Sequence, residues 1–258
     1  MWRTIIPRVA HEGLAFDSQH NLYFVDELNG GAIYKFVSAN PNADSGDEFF
    51  AAGQTFVLRV GAGGQFEGNN GPSIVGAAAW IPITNPLGGP IPGISVVLAD
   101  GTIDGMQTAD APQVLSTGYN RPEDVELQTR PDGTEVLYFA TTDSDTNANT
   151  DDGRSRVYAL NLTTTTVNLF ASTDTTDLAT GAAVAGGFRN ADNLAIDAEG
   201  NIYIVEDRAG GVDDDLWFAR DLNKDGDLLD EGEGLARWAS NGTRGSEAKA
   251  TSPPPSRR

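Results

Sequence analysis

His11-Glu12-Gly13-Leu14-Ala15-Phe16-Asp17, followed after three residues by Asn21-Leu22-Tyr23-Phe24-Val25-Asp26-Glu27, returns later in the chain as Ala191-Asp192-Asn193-Leu194-Ala195-Ile196-Asp197 and Asn201-Ile202-Tyr203-Ile204-Val205-Glu206-Asp207. In both copies the Tyr stands six positions after the Asp, Tyr23 after Asp17 and Tyr203 after Asp197. A looser third copy is Arg121-Pro122-Glu123-Asp124-Val125-Glu126-Leu127, then Pro131-Asp132-Gly133 and Val136-Leu137-Tyr138-Phe139-Ala140. Each copy reads as a short apolar strand, an Asx or Gly turn and a second strand rich in β-branched and aromatic residues, which is a hairpin.

Further strand candidates lie between the copies, at 32–37, 55–60, 95–98, 156–160, 166–170 and 216–220, and helical periodicity is nearly absent. Many short strands with a repeated hairpin predict an all-β fold, and a hairpin that opens on an acid favours the β-propeller. In that architecture the innermost strand of every blade starts at the same end of the central channel. Glu12, Glu123 and Asp192, which stand at the start of the three first strands, would therefore converge. Their spacings of 111 and 69 residues exceed the roughly 40–50 residues of one blade. A Pro/Gly-rich insertion near 61–112 fills part of the difference, and the chain holds about four to five blades' worth of sequence, an incomplete propeller. Residues 1–248 are assigned to the propeller and the polar, Pro-rich 249–258 to a disordered tail.

Composition narrows the chemistry. The 258 residues include 17 Lys and Arg against 37 Asp and Glu, no Cys and two His. Without Cys there is no disulfide framework, iron–sulfur cluster or thiol nucleophile, and two His make a zinc hydrolase site weak. A net charge of −20 repels phosphate backbones and anionic lipid, so neither nucleic acid nor membrane is an expected partner, whereas divalent cations are. The charge-free stretch 68–99 is broken by five Pro, so it is not a membrane span, and the N-terminus has no secretory signal. No Gly-x-Ser-x-Gly elbow, phosphate loop or dinucleotide fingerprint is present.

A second acidic signal is Asp221-Leu222-Asn223-Lys224-Asp225-Gly226-Asp227, with Glu233 beyond it. Acids or amides at loop positions 1, 3, 5 and 7 with Gly at 6 match the first half of an EF-hand calcium loop. Position 12 is Gly232 rather than a bidentate Glu, and the flanks read as strands, so calcium here would be structural. The competing reading is a solvated acidic turn. His11, beside Glu12, is a candidate metal ligand or general acid/base, with a packed residue as the alternative.

The order of motifs at 11–37, 121–126 (Arg-Pro-Glu-Asp-Val-Glu), 192–197 (Asp-Asn-Leu-Ala-Ile-Asp) and 244–247 (Arg-Gly-Ser-Glu) resembles the PhoX-like alkaline phosphatase family. The resemblance implies a β-propeller phosphomonoesterase, usually exported and so secreted or periplasmic, with calcium and ferric iron on clustered carboxylates. It implies metal binding by Glu12, Glu123 and Glu247 with Asp192 or Asn193 beside them, and phosphate contact by Arg244. The family's iron ligand is a Cys thiolate, which this sequence lacks, so calcium is the expected cofactor and iron is in doubt. The family's chains extend at both ends, so a truncated member, inactive by itself, is expected. The expected partner is a small phosphate ester acting on a monomer. The alternatives are a gluconolactonase-like calcium propeller and a non-catalytic extracellular calcium-binding propeller.

Overall fold

Asp17 explains why the repeat looks as it does. In the computed structural model, which describes residues 5–68, 71–142, 155–208 and 214–240, its Oδ1 accepts the N–H groups of Gln19 (2.9 Å) and Asn21 (2.8 Å). Its Oδ2 accepts from the Asn21 amide at 2.7 Å and the Tyr23 hydroxyl at 3.0 Å. Asp197 repeats the network with Glu199, Asn201 and Tyr203, at 3.0, 2.9, 2.7 and 3.2 Å. One carboxylate thus closes the turn and ties it to the second strand. The turn also needs a left-handed residue, supplied by His20 (φ 61°) in the first copy and Gly200 (φ 85°) in the other. The third copy has Arg130 in place of the Asp and Gly133 (φ 84°) at the left-handed position.

In chain order the strands are β1 (Leu14–Phe16), β2 (Leu22–Val25), β3 (Asn29–Gly31), β4 (Ile33–Ser38), β5 (Gly53–Val60), β6 (Gly76–Pro82), β7 (Tyr119–Asn120), β8 (Pro122–Thr129), β9 (Glu135–Thr141), β10 (Arg156–Asn161), β11 (Thr166–Ser172), β12 (Ala191–Ile196), β13 (Ile202–Glu206), β14 (Asp215–Ala219) and β15 (Leu235–Ser240). Two short helices, α1 (Gly46–Phe49) and α2 (Gly105–Ala109), interrupt them. Strands β1-β2-β4-β5, β8-β9-β10-β11 and β12-β13-β14-β15 form three antiparallel four-stranded blades, each opening on its inner strand. The fold is therefore all-β, and the described residues build three blades of an incomplete propeller. The described part of 61–118 adds the strand β6. This strand pairs with β5 and, at Ala77 and Gly76, with β11, linking the outer edges of the first two blades. The candidate strand at 95–98 makes only the isolated bridge Val97 to Ile103.

Blades pack face to face by strand alternation. Tyr23, Val25 and Leu58 of the first meet Leu137, Phe139 and Tyr158 of the second, where the Phe139 and Tyr158 rings stack at 5.0 Å. The other face of the second blade, with Tyr138, Ala140 and Phe170, packs on Ile202, Ile204 and Trp217 of the third. The outer face of the first blade, with Phe24, Tyr34 and Phe36, is covered by Ile83, Ala109 and Val114 of the insertion. The corresponding Tyr203 face of the third blade carries no further blade among the described residues, and Trp238 is 43% exposed there. No helix among the described residues is long and apolar enough to cross a membrane.

Inner strands touch at the hub. Gly13 N donates to Glu123 O at 2.9 Å, and Asp124 Oδ2 accepts from Leu194 N at 2.8 Å. A Cβ on Gly13 would lie 2.4 Å from Val125 N, so only glycine fits where the second blade closes on the first. Since Asp17 is buried and Asp197 half-exposed, Asp17→Ala is expected to cost about 3 kcal/mol by stranding the Asn21 and Tyr23 donors, and Asp197→Ala clearly less. Urea denaturation of the two variants checks the order, and equal losses would contradict it.

Candidate active site

Three equivalent hydrogen bonds mark the hub end of the hairpins: Glu27 N to Ala10 O (2.8 Å), Thr142 N to Arg121 O (3.0 Å) and Asp207 N to Asn190 O (3.0 Å). Two residues past each acceptor stand Glu12, Glu123 and Asp192, and the donors themselves include Glu27 and Asp207. Pseudo-symmetry therefore delivers five carboxylates from three blades to one mouth. In the second and third blades the ladder slips between Pro122 and Val125 and between Ala191 and Leu194, so Glu123-Asp124 and Asp192-Asn193 sit in β-bulges. A bulge re-aims its side chains out of the pleat. Just before each bulge the backbone turns left-handed, at Arg121 (φ 47°) and Asn190 (φ 45°). For an arginine that conformation is costly and is held by its surroundings.

The electrostatics report crowding of like charge. Glu123 is 2% exposed, and burial first, then the charges of Glu27, Asp192 and Glu12, push its carboxyl up to about 8 against the opposing pull of Arg121. Burial, with Asp207, Glu12, Asp124 and Glu27, pushes Asp192 up to about 6. Arg121 bridges Glu27 and Glu123, lying 3.1 Å from Glu123 Oε1. Even so, Oε1 meets no aligned donor, and both ends of the buried Asn120 amide, Asp26 Oδ2 and Thr141 Oγ1 are also without partners. Other buried atoms, such as Asn201 Oδ1 and Arg59 Nε, also lack partners, but buried polar groups are normally paired, and the orphans next to Arg121 suit a place that receives something polar.

The chain matches the family model described as Alkaline phosphatase PhoX over residues 1–254. It belongs to the PhoX family. It is also similar to a solved structure, Pseudomonas fluorescens PhoX in complex with vanadate, a transition state analogue, at 20% identity and a TM-score of 0.51. That alignment covers 84% of this chain and 43% of the other, so the chain spans less than half the length of that protein, and the likeness shows the fold. No curated protein matches.

The remaining candidates of this PhoX-family chain divide by position. His11 is exposed, its ring against Phe24 at 5.4 Å, and partial burial lowers its pKa. Asn193 is exposed beside Asp192. Arg244 and Glu247 lie outside the described residues. The acidic loop lies at the turn end of the hairpins, away from the hub. Its Asp221 Oδ2 accepts from Arg130 Nη2 and Gly226 N, both at 2.9 Å, and Arg130 also donates to the Lys224 carbonyl. Glu233 is buried and accepts from Leu222 N at 2.7 Å and Asn223 N at 3.2 Å. Oxygens of Asp225, Asp227 and Asp230 lie within 4.8 Å of one another, the one such trio among the described residues, and Asn223 donates to Asp225 and Asp230. The hub carboxylates stand farther apart than that.

Three hub residues escaped the sequence reading: Glu27, Asp207 and Arg121. The first two end the quoted repeats, and extending the symmetry from first strands to second would have found them. Because Glu123 and Asp192 have folded pKa values raised above their unfolded ones, their contribution to stability is complete below about pH 4 and is lost as pH rises through about 6 and 8. The metal-free protein is expected to melt on the order of 5 °C lower at pH 8.5 than at pH 5.5, with Glu123→Gln flattening the dependence. A scanning-calorimetry series that shows no fall, or the same fall in Glu123→Gln, would contradict this.

Proposed function

We propose that this PhoX-family chain acts as a calcium-dependent phosphomonoester hydrolase whose site is the hub mouth. The supporting observation is the gathering of Glu12, Glu27, Glu123, Asp192 and Asp207 around a single arginine, Arg121. An all-oxygen donor set suits a hard cation such as Ca²⁺, the orphaned Glu123 Oε1 is a free acceptor for one, and a cation offsets the burial and like charge that raise the pKa values of Glu123 and Asp192. Iron on a thiolate does not fit, since the sequence has no Cys. Bound there, the cation would polarise a phosphoryl oxygen and make a bound water more acidic.

The protein's own groups do the positioning. Arg121, held through Nη2 by Glu27 and Glu123 and 37% exposed, keeps further N–H donors, whose fork geometry suits a phosphoryl group. This gives Arg121 the phosphate role that the motif order had assigned to Arg244, which stays with Glu247 as a further candidate. His11 is neutral near pH 7, so it accepts rather than donates a proton. The trio Asp225, Asp227 and Asp230, with Asn223, is proposed as a separate structural calcium site, with Asp221 and Glu233 shaping the loop through hydrogen bonds. Family membership and the acidic, Cys-free composition support a secreted or periplasmic setting, a small phosphate ester as substrate and a monomer.

Phosphate release from an aryl phosphate is expected to stop on chelation and return with calcium. Glu123→Gln is expected to lower kcat about 100-fold or more, and Arg121→Lys to lower kcat/KM about 10- to 100-fold. Turnover of a lactone but of no phosphate ester would identify the gluconolactonase-like alternative, and cation binding with neither turnover would identify the non-catalytic one.

A further inference from the structure

Beside the hub the chain forms an open pocket of about 390 Å³, within the range of small-molecule sites, with Asn29, Gln65 and Ser116 among its lining. Phe66, Met106 and Leu115 form its walls, and Gly30, Gly64 and Gly118 bring backbone to its edge. We propose that it holds the alcohol portion of the ester, and that it selects phosphomonoesters of flat, uncharged, aromatic alcohols. The proposal rests on the phosphatase reading above and adds the substrate class.

Position makes the connection. Strands β3 and β7 pair through Asn29 with Asn120 and Gly31 with Tyr119. Asn29 follows Glu27 by two residues, and Gly118 precedes Arg121 by three, so these two strands and the residues directly flanking them carry the cavity's edge and the ion pair of the hub. The insertion supplies the rest, with Phe66 bridged to Gly118 and Gly64 N bonded to Leu115 O at 3.0 Å.

The walls are apolar and uncovered. Phe66 is 52% exposed and Leu115 39%. Leu115 also adopts φ 49°, a conformation that a bulky side chain rarely occupies, so the fold meets a backbone cost to present an exposed leucine at this rim. A Cβ on Gly30 would stand 3.6 Å from Met106 Cε and 3.7 Å from the Phe66 ring, and one on Gly64 3.4 Å from Leu115 Cδ2. Side chains there would fill the slot that the glycines leave open.

Charge sets what the slot rejects. In a protein of net charge −20 the one charged residue on this lining, among the described residues, is Asp110, an acid. A second phosphate or a carboxylate on the alcohol would meet Asp110 with no cation on the lining to offset it. An aromatic ring would replace water against Phe66, Met106 and Leu115.

The test uses the calcium-loaded full chain with 2-naphthyl phosphate and glycerol phosphate as esters, and equilibrium dialysis with 2-naphthol alone. Leu115→Gly removes one wall and suits the left-handed backbone, and Phe66→Ala removes another. Each is expected to lower the ratio of kcat/KM for naphthyl over glycerol phosphate about tenfold and to weaken naphthol binding similarly, through a rise in KM rather than a fall in kcat. Equal changes for both esters, or naphthol binding untouched in both variants, would overturn the proposal. Absence of turnover with either ester would sink the phosphatase reading, and the dialysis result would then decide the cavity by itself.

Discussion

The contact on which the hub depends is the one between inner strands, where Gly13 N meets Glu123 O and the Asp124 side chain reaches Leu194 N. It leaves no room for a Cβ at Gly13. Once three blades close to that distance, the residues just ahead of their inner strands have nowhere to stand but the same mouth. Glu123 and Asp192 are then forced to share a small volume with Glu12, Glu27 and Asp207, and their raised pKa values are the physical trace of that confinement. Fold and site are one constraint seen from two sides.

Much of this was legible in the residues because the repeat carries its own chemistry. The pattern Asp, then Asn four and Tyr six positions later, is the turn network of Asp17 and Asp197. What could not be read was anything that needs partners across blades. The bulges that re-aim Glu123 and Asp192 depend on the register of β9 and β13, and the phosphate-facing role proposed for Arg121 depends on Glu27 in another blade. The Pro/Gly-rich insertion was visible as such, but its packing of Ile83, Ala109 and Val114 on the first blade depends on partners that lie far away in sequence.

The third hairpin shows how a departure from the repeat is used. Arg130 stands where Asp17 and Asp197 close their turns, and besides bonding Gln128 and Tyr138 of its own hairpin it crosses to Asp221 and the Lys224 carbonyl of the third blade. Both side chains of the pair are almost fully buried, at 6% and 5% exposed. A buried carboxylate without a partner would be strongly destabilising, and the arginine neutralises it without an ion. The acidic loop is thereby divided, with Asp221 serving the blade contact and Asp225, Asp227 and Asp230 left facing solvent together. An EF-hand pattern in sequence does not say which of its carboxylates the fold has already engaged.

The two ends of the hairpins therefore handle acidity in opposite ways. At the turn end each buried carboxylate is satisfied, Asp17 by four donors and Asp221 by Arg130 and Gly226. At the hub end Glu123 and Asp26 each keep an oxygen without a partner, and among the described residues the guanidinium of Arg121 cannot by itself neutralise five carboxylates. Folding alone would favour replacing some of these acids with neutral groups of similar size, since each proton-free carboxylate in the mouth opposes the next. Their retention beside an unsatisfied Asn120 is intelligible if the mouth is completed by positive charge from outside the chain, so the stability lost to repulsion at the hub is the free energy that a bound cation recovers.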